Sequence, residues 1–127
     1  MERPYNIIEQ YDRPIKRYCQ SMDLVNNSEL IEQYCRLHSP EEHWKEIRDG
    51  IREVGILDMD IYIKGNHLFM IVDVEPDFDW DSSFERLSKL PRQEEWETLV
   101  SKFQVCEPGA TSSEKWVPME RIFTLYE

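Results

Sequence analysis

The chain has 127 residues, enough for one domain with a continuous hydrophobic core. Apolar residues make up 40% and charged residues 32%, the balance of a globular protein and not of a disordered one. Against 15 basic side chains stand 26 acidic ones, a net charge of −11, which repels phosphate backbones and anionic lipid and so speaks against nucleic acid or a membrane as partner.

No run approaches the roughly 18 apolar residues of a membrane span. The start, MERPYNIIEQ, lacks a basic segment followed by an apolar core and does not read as a signal peptide. Cys19, Cys35 and Cys106 are an odd, scattered set without CxxC spacing. They read as reduced thiols of a cytoplasmic protein.

Residues 1–15, with Pro4 and Pro14 around NIIEQY, read as an N-terminal arm whose Ile7, Ile8 and Tyr11 dock on the body or on a partner subunit. The domain proper spans 16–127. KRYCQSMDL alternates loosely and ends at Asn26-Asn27-Ser28, predicting a strand and a turn. A helix follows, capped by Asn27 or Ser28, with Leu30, Ile31, Tyr34, Leu37 and His38 on its inner stripe. Ser39-Pro40-Glu41-Glu42 carries the marks of a helix restart: a cap, a proline at the first helical position and a capping-box glutamate. Trp44, Ile47, Ile51 and Val54 form the apolar face of this second helix, and Gly55 ends it.

Two β-rich runs flank Lys64-Gly65-Asn66, a hairpin signal. In the first, Met59, Ile61 and Ile63 alternate with Asp58, Asp60 and Tyr62; the second, LFMIV, is continuous enough for a central strand covered on both faces. After Pro76 comes an acidic loop with Trp80, then a short helix with Phe84, Leu87 and Leu90. Pro91 opens another helix with Trp96, Leu99, Val100 and Phe103 on its buried stripe. Glu107-Pro108-Gly109 closes it, and the polar loop TSSE leads to a last strand, WVPMERIFTLY, which Pro118 assigns to a sheet edge or a bulge. Strand, broken helix, strand, strand, broken helix, strand is an α+β order, the ferredoxin-like βαββαβ pattern. Its uncovered sheet face suits a second copy, giving a dimeric α/β barrel.

Tyr34 and His38, four apart, share one helix face among leucines and isoleucines. An imidazole there is either a satisfied core residue or an acid/base group able to take and give protons near neutral pH. Taken alone, Trp96 reads as core, Trp44 and Trp116 as packing or interface residues, His43 and His67 as surface residues, and Asp58 and Asp60 as a solvated strand edge.

Six phrases stand in order: KRYC at 16–19, Tyr34 with His38, GILDMDIY at 55–62, GNHLFMIVD at 65–73, EEWETLV at 94–100 and EKWVPMERIFTL at 114–125. Together they resemble the L-rhamnose mutarotase family, in particular its L-fucose mutarotase branch, over residues 16–127. The resemblance implies a homodimeric ferredoxin-like α/β barrel, no cofactor, no metal, and interconversion of the α and β anomers of a 6-deoxy-L-sugar. His38 matches the family's acid/base histidine, Tyr34 the tyrosine one turn before it, and Trp80 and Trp96 the aromatics lining the sugar site. Met59 stands where rhamnose mutarotases usually carry tyrosine. Asp58-Met59-Asp60 is close to the DME of the fucose-type branch, which favours L-fucose over L-rhamnose and removes one proton donor. The Trp-Pro that often follows the family histidine is Trp44-Lys45 here.

Mutarotation opens a hemiacetal and recloses it on the other face, which needs a base at the anomeric hydroxyl and an acid at the ring oxygen. Expected roles are His38 as acid/base and Tyr34 as its hydrogen-bonding partner or relay. Asp58 or Asp60 would hold sugar hydroxyls or orient the imidazole, and both share a strand face with Tyr62, which joins the substrate site if that face meets the sugar. Met59 occupies the family's substrate position, and Trp80 with Trp96 would meet the sugar's C–H face and 6-methyl group. A non-catalytic sugar-binding domain is the alternative that Met59 keeps open. A haem-degrading enzyme of the same barrel class is disfavoured by the acidic composition.

Overall fold

The computed structural model describes residues 2–126. Strand β1 (Lys16–Asp23) leads into helices α1 (Ser28–Leu37) and α2 (Lys45–Glu53). The hairpin β2 (Ile56–Lys64) and β3 (His67–Val74) follows, then α3 (Trp80–Ser88), α4 (Gln93–Ser101), the short α5 (Ser112–Lys115) and β4 (Val117–Pro118). The sheet order is β2-β3-β1-β4, with every pairing antiparallel. This is the ferredoxin-like arrangement, with both halves' helices broken as the sequence suggests.

Period-two alternation decides which strand residues meet the helices. Leu68, Met70, Val72 and Val74 of β3 are buried, and Met59, Ile61 and Ile63 pair with the first three of them on the same face. Asp58, Asp60 and Tyr62 pair with Asp73, Ile71 and Phe69 on the opposite, outer face. The register slips once, between Ile56 and Asp58, so a bulge resets the alternation. Gly65, at φ 61°, supplies the left-handed conformation that the two-residue hairpin loop requires. The core continues from β3 into Ile47, Val54, Phe84, Leu87, Trp96, Val100 and Phe103 of the helical layer.

Asn27 caps α1, its side chain accepting from the backbone N–H groups of Glu29 and Leu30. Gly55, at φ 100°, follows α2 as its stop. Three boundaries differ from expectation. Ser39–His43 form a single turn, and α2 begins only at Lys45, because Trp44 is extended and docks its indole on Trp96. Pro91 does not open α4. Arg92 adopts a left-handed φ of 64°, held by ion pairs to Glu46 and Glu95 and by its guanidinium lying 3.8 Å from the Trp44 ring centroid. The last strand is two residues long. Val117 and Pro118 pair with Ser21 and Gln20 at the sheet edge, Pro118 offers no N–H, and the chain beyond Met119 leaves β1.

The arm before β1 has no regular structure but touches the outer face: Asn6 reaches the Tyr62 hydroxyl, and Arg13 pairs with Glu75. No helix among the described residues is long and apolar enough to cross a membrane.

The TSSE loop contains a helical turn, α5, closed by a capping box between Thr111 and Glu114. It buries the Lys115 side chain completely, with Nζ 2.7 Å from a Glu97 carboxylate oxygen and 3.1 Å from the Glu97 carbonyl; Gln93 also donates to that carboxylate. Removing one partner of such a pair leaves a largely buried charge uncompensated. Lys115→Ala is therefore expected to lower the unfolding free energy by about 3 kcal/mol. Lys89→Ala, which breaks the exposed pair with Glu85, should change it by less than about 0.5 kcal/mol. Urea titration of both variants checks the contrast.

Candidate active site

Helix α1 tightens as it ends. The His38 backbone N–H donates to the Cys35 carbonyl three residues back, and Ser39 N–H to that of Arg36. The Tyr34 carbonyl thereby loses the amide it would bind in a continuing helix. The His38 side chain takes its place, with Nδ1 2.8 Å from that oxygen. A carbonyl only accepts, so Nδ1 carries the proton and the neutral imidazole presents a lone pair at Nε2. That second nitrogen makes no hydrogen bond within the described residues and is not among the buried unsatisfied atoms, so it is open to the cavity beside it.

The cavity, ≈ 380 Å³, lies between the end of α1, α2 and the inner face of β2. Ile51, Ile56, Met59 and Ile61 give it an apolar floor, and His38, His43, Arg48 and Arg52 bring nitrogen to its rim. A few polar groups over an apolar floor is the composition of a small-molecule site.

Tyr34 is buried, and its ring lies 4.4 Å from the His38 ring, centroid to centroid. Its hydroxyl contacts Gln104, which donates across 3.3 Å, and does not bond His38. Burial pushes the phenol pKa up to about 12, only partly opposed by Gln104, so the hydroxyl keeps its proton. Tyr34 therefore serves His38 through its backbone carbonyl and its ring. Trp96 stands edge-on to three rings, those of His38, His43 and Trp44, at 5.4, 5.0 and 5.2 Å. Burial lowers the His38 pKa, with the bond to the Tyr34 carbonyl pulling the other way.

The residues singled out in the sequence thus divide. His38, Met59 and Asp58 line one cavity, and Tyr34 and Trp96 pack against the His38 ring. Asp58 enters at the bulge, where its carboxylate accepts from the Met59 N–H. Asp60 and Tyr62 are on the outer sheet face, away from His38, because of the strand period. Trp80 belongs to a separate aromatic group with Tyr18, Phe78 and Phe84.

His43, which reads as a surface residue, is half-buried in the site: its Nδ1 is buried and its ring faces those of His38 and Trp96. Sequence spacing hides it, since it lies five positions on from His38 across a proline-bearing turn. Arg48 and Arg52, one helical turn apart on α2, carried a visible signal in their i, i+4 spacing. A larger groove of ≈ 820 Å³, lined by α3, α4 and the Gly109–Ser113 loop, holds carboxylates and hydroxyls but no imidazole. No group of three or more potential metal ligands is clustered among the described residues.

A family model described as L-rhamnose mutarotase matches residues 17–125. The chain is 36% identical over 113 residues to an L-fucose mutarotase of Xanthomonas campestris pv. campestris, covering 89% of this chain and 90% of that protein. It is 38% identical over 114 residues to a UPF0734 protein of Dictyostelium discoideum, covering 87% and 90%. Among solved structures, the L-rhamnose mutarotase of Formosa agariphila superposes with a TM-score of 0.64 at 18% identity, covering 87% of this chain and 99% of that one.

Burial, with the charges of His38 and Arg48 adding to it, lowers the His43 pKa from its ordinary 6.5 to about 4. Between those values the unfolded chain binds a proton that the folded one refuses, so stability falls as pH drops through that window and is fully present above it. His43→Gln removes this contribution. The loss of stability on going from pH 7 to pH 5 should therefore be smaller in the variant than in the parent, measured by denaturant midpoints at the two pH values.

Proposed function

The chain belongs to the L-rhamnose mutarotase family and is a sugar mutarotase, an isomerase, and within that class we propose that it interconverts the α and β anomers of L-fucose. The observation that carries the mechanism is the fixed tautomer of His38, with Nδ1 held by the Tyr34 carbonyl and Nε2 free beside an apolar-floored cavity. His38 Nε2 removes the proton of the anomeric hydroxyl as the bond from the anomeric carbon to the ring oxygen breaks. The resulting imidazolium delivers that proton to the ring oxygen, leaving the open aldehyde. Rotation about the bond to the carbonyl carbon and the reverse sequence close the ring on the other face. The chemistry is proton transfer alone and calls on no metal, redox group or covalent intermediate.

Met59 and Ile61 give the apolar surroundings suited to a C–H face and a 6-methyl group, Tyr34 and Trp96 position the imidazole, and Asp58 stands at the rim. Met59 in place of a tyrosine and the L-fucose mutarotase relative support L-fucose. L-Rhamnose is the second reading, supported by the name of the matching family model. A homodimer is part of the proposal. Ile122, Phe123, Leu125 and Tyr126 are 72–94% exposed in one chain, and a second copy against the outer sheet face would shelter such side chains. Three free thiols fit a reducing, cytoplasmic setting.

Magnetisation exchange between the anomeric protons of L-fucose, L-rhamnose and other 6-deoxysugars tests the substrate, with acceleration greatest for L-fucose. His38→Ala should cut the exchange rate by about 10²-fold or more. Tyr34→Phe, which keeps both carbonyl and ring, should retain at least about a tenth of the activity. Sedimentation should return twice the 15.4 kDa chain mass; a monomer would remove the dimer from the proposal.

A further inference from the structure

We infer that His43 is a second catalytic imidazole, its Nε2–H donating a hydrogen bond to the sugar ring oxygen while His38 carries the proton. The inference rests on the mutarotase reading and adds to it a second imidazole at the reacting atoms.

The two imidazoles line the same cavity, with ring centroids 5.8 Å apart and planes inclined at 43°. The reacting oxygens of a hemiacetal hang on one carbon, so a sugar whose anomeric carbon sits in the cavity at the edges of both rings offers one oxygen to each. Two edges of His43 are distinguished. Among the described residues Nδ1 is buried without a hydrogen-bond partner, whereas Nε2, also unbonded there, is not buried. A buried polar atom left unpaired is costly, which argues that the ring is held there for the work of its other nitrogen.

The division of labour follows from proton balance. In the opening step His38 Nε2 gains the proton of the anomeric hydroxyl, whose oxygen becomes the aldehyde oxygen. The electron pair of the breaking bond goes to the ring oxygen. His43 Nε2–H stabilises the charge growing there and keeps its own proton throughout; His38 then returns its proton to that oxygen. Both imidazoles end as they began. A neutral imidazole suits such donation, since its hydrogen bond strengthens as the oxygen becomes negative while the ring itself is not consumed. Trp96, edge-on to both rings, fixes their mutual setting.

The test uses the full-length chain and L-fucose magnetisation exchange. His43→Phe fills the ring's space beside Trp96 without a donor, and His43→Gln restores an N–H near the position of Nε2. The expected result is a fall of about 10²-fold in the saturated exchange rate for His43→Phe, half-saturation shifted by less than about threefold, and recovery of most of the loss in His43→Gln. The inference is overturned by a His43→Phe protein at the parent rate, or by a loss confined to half-saturation. It is also overturned if His43→Gln, folded by circular dichroism, is as slow as His43→Phe. Failure of the parent chain to accelerate exchange of any sugar would instead bring down the mutarotase reading and this inference with it. A parent chain that turns over, with His38→Ala inactive and His43→Phe unimpaired, would bring down this inference alone.

Discussion

One hydrogen bond, from His38 Nδ1 to the Tyr34 carbonyl, organises the site. It forms because α1 tightens in its last turn and leaves that carbonyl without an amide. The same bond finishes the helix, selects the tautomer and aims the reactive nitrogen. Its anchor is rigid: Tyr34 is buried, held by Gln104 at the hydroxyl and by Phe103 edge-on at the ring. Phe103 lies just beyond α4 and its carbonyl accepts from Val25 N–H, so the anchor is tied to the chain immediately after β1 as well. A side chain held this way loses little entropy when substrate arrives, which is what a positioned acid/base group requires.

Trp96 does for the walls of the site what that bond does for its base. It brings together the end of α1, the turn after it and the start of α2, elements that no strand pairing connects. Arg92 lies on the far indole, Trp44, and is itself tied to Glu46 and Glu95, so a surface ion-pair set holds the aromatic group from outside. The left-handed backbone at Arg92 costs about 1–2 kcal/mol, and the cation–π contact and ion pairs offset it. The electrostatic result is two imidazoles kept neutral by burial, ready to accept or donate hydrogen bonds without first losing a proton.

The sequence made the fold legible where pattern and punctuation agree. Asn27 as cap, Gly55 as stop, the Gly65-Asn66 turn and the alternation of β2 all follow from local chemistry, and the element order leads to the sheet order. Legibility ended where a distant side chain overrode a local signal. The Ser39-Pro40 capping pattern lost to Trp44 docking on Trp96, and the Pro91 helix start lost to Arg92 reaching back across Trp44. The final strand stopped after two residues, since Pro118 has no N–H to donate and the chain beyond Met119 leaves β1. In the site, the i, i+4 spacing of Tyr34 and His38 put both on one face, but it could not show that the phenol turns to Gln104 while the carbonyl meets the imidazole. His43 carried no periodic signal, because it enters through a turn.

The strand period settles more than placement. With the bulge at Leu57, β2 turns Met59 and Ile61 toward the cavity and Asp60 and Tyr62 to the outer face, where Asp60 joins Asp58 and Asp73. Burial, with the charges of Asp58 and Asp73 adding to it, raises the Asp60 pKa, and the charge of Arg17, which pairs with Asp73, opposes it. A register one residue different would exchange the two sets and bring Asp60 into the cavity that Asp58 already rims, beside His38 and His43. Negative charge there would favour imidazolium and raise both pKa values, reversing the effect of burial. An imidazolium has no lone pair to accept the anomeric proton, so the first step would stall at neutral pH. The bulge that appears as an irregularity of β2 therefore sets the protonation state of two side chains on other elements, and with it the chemistry the cavity can perform.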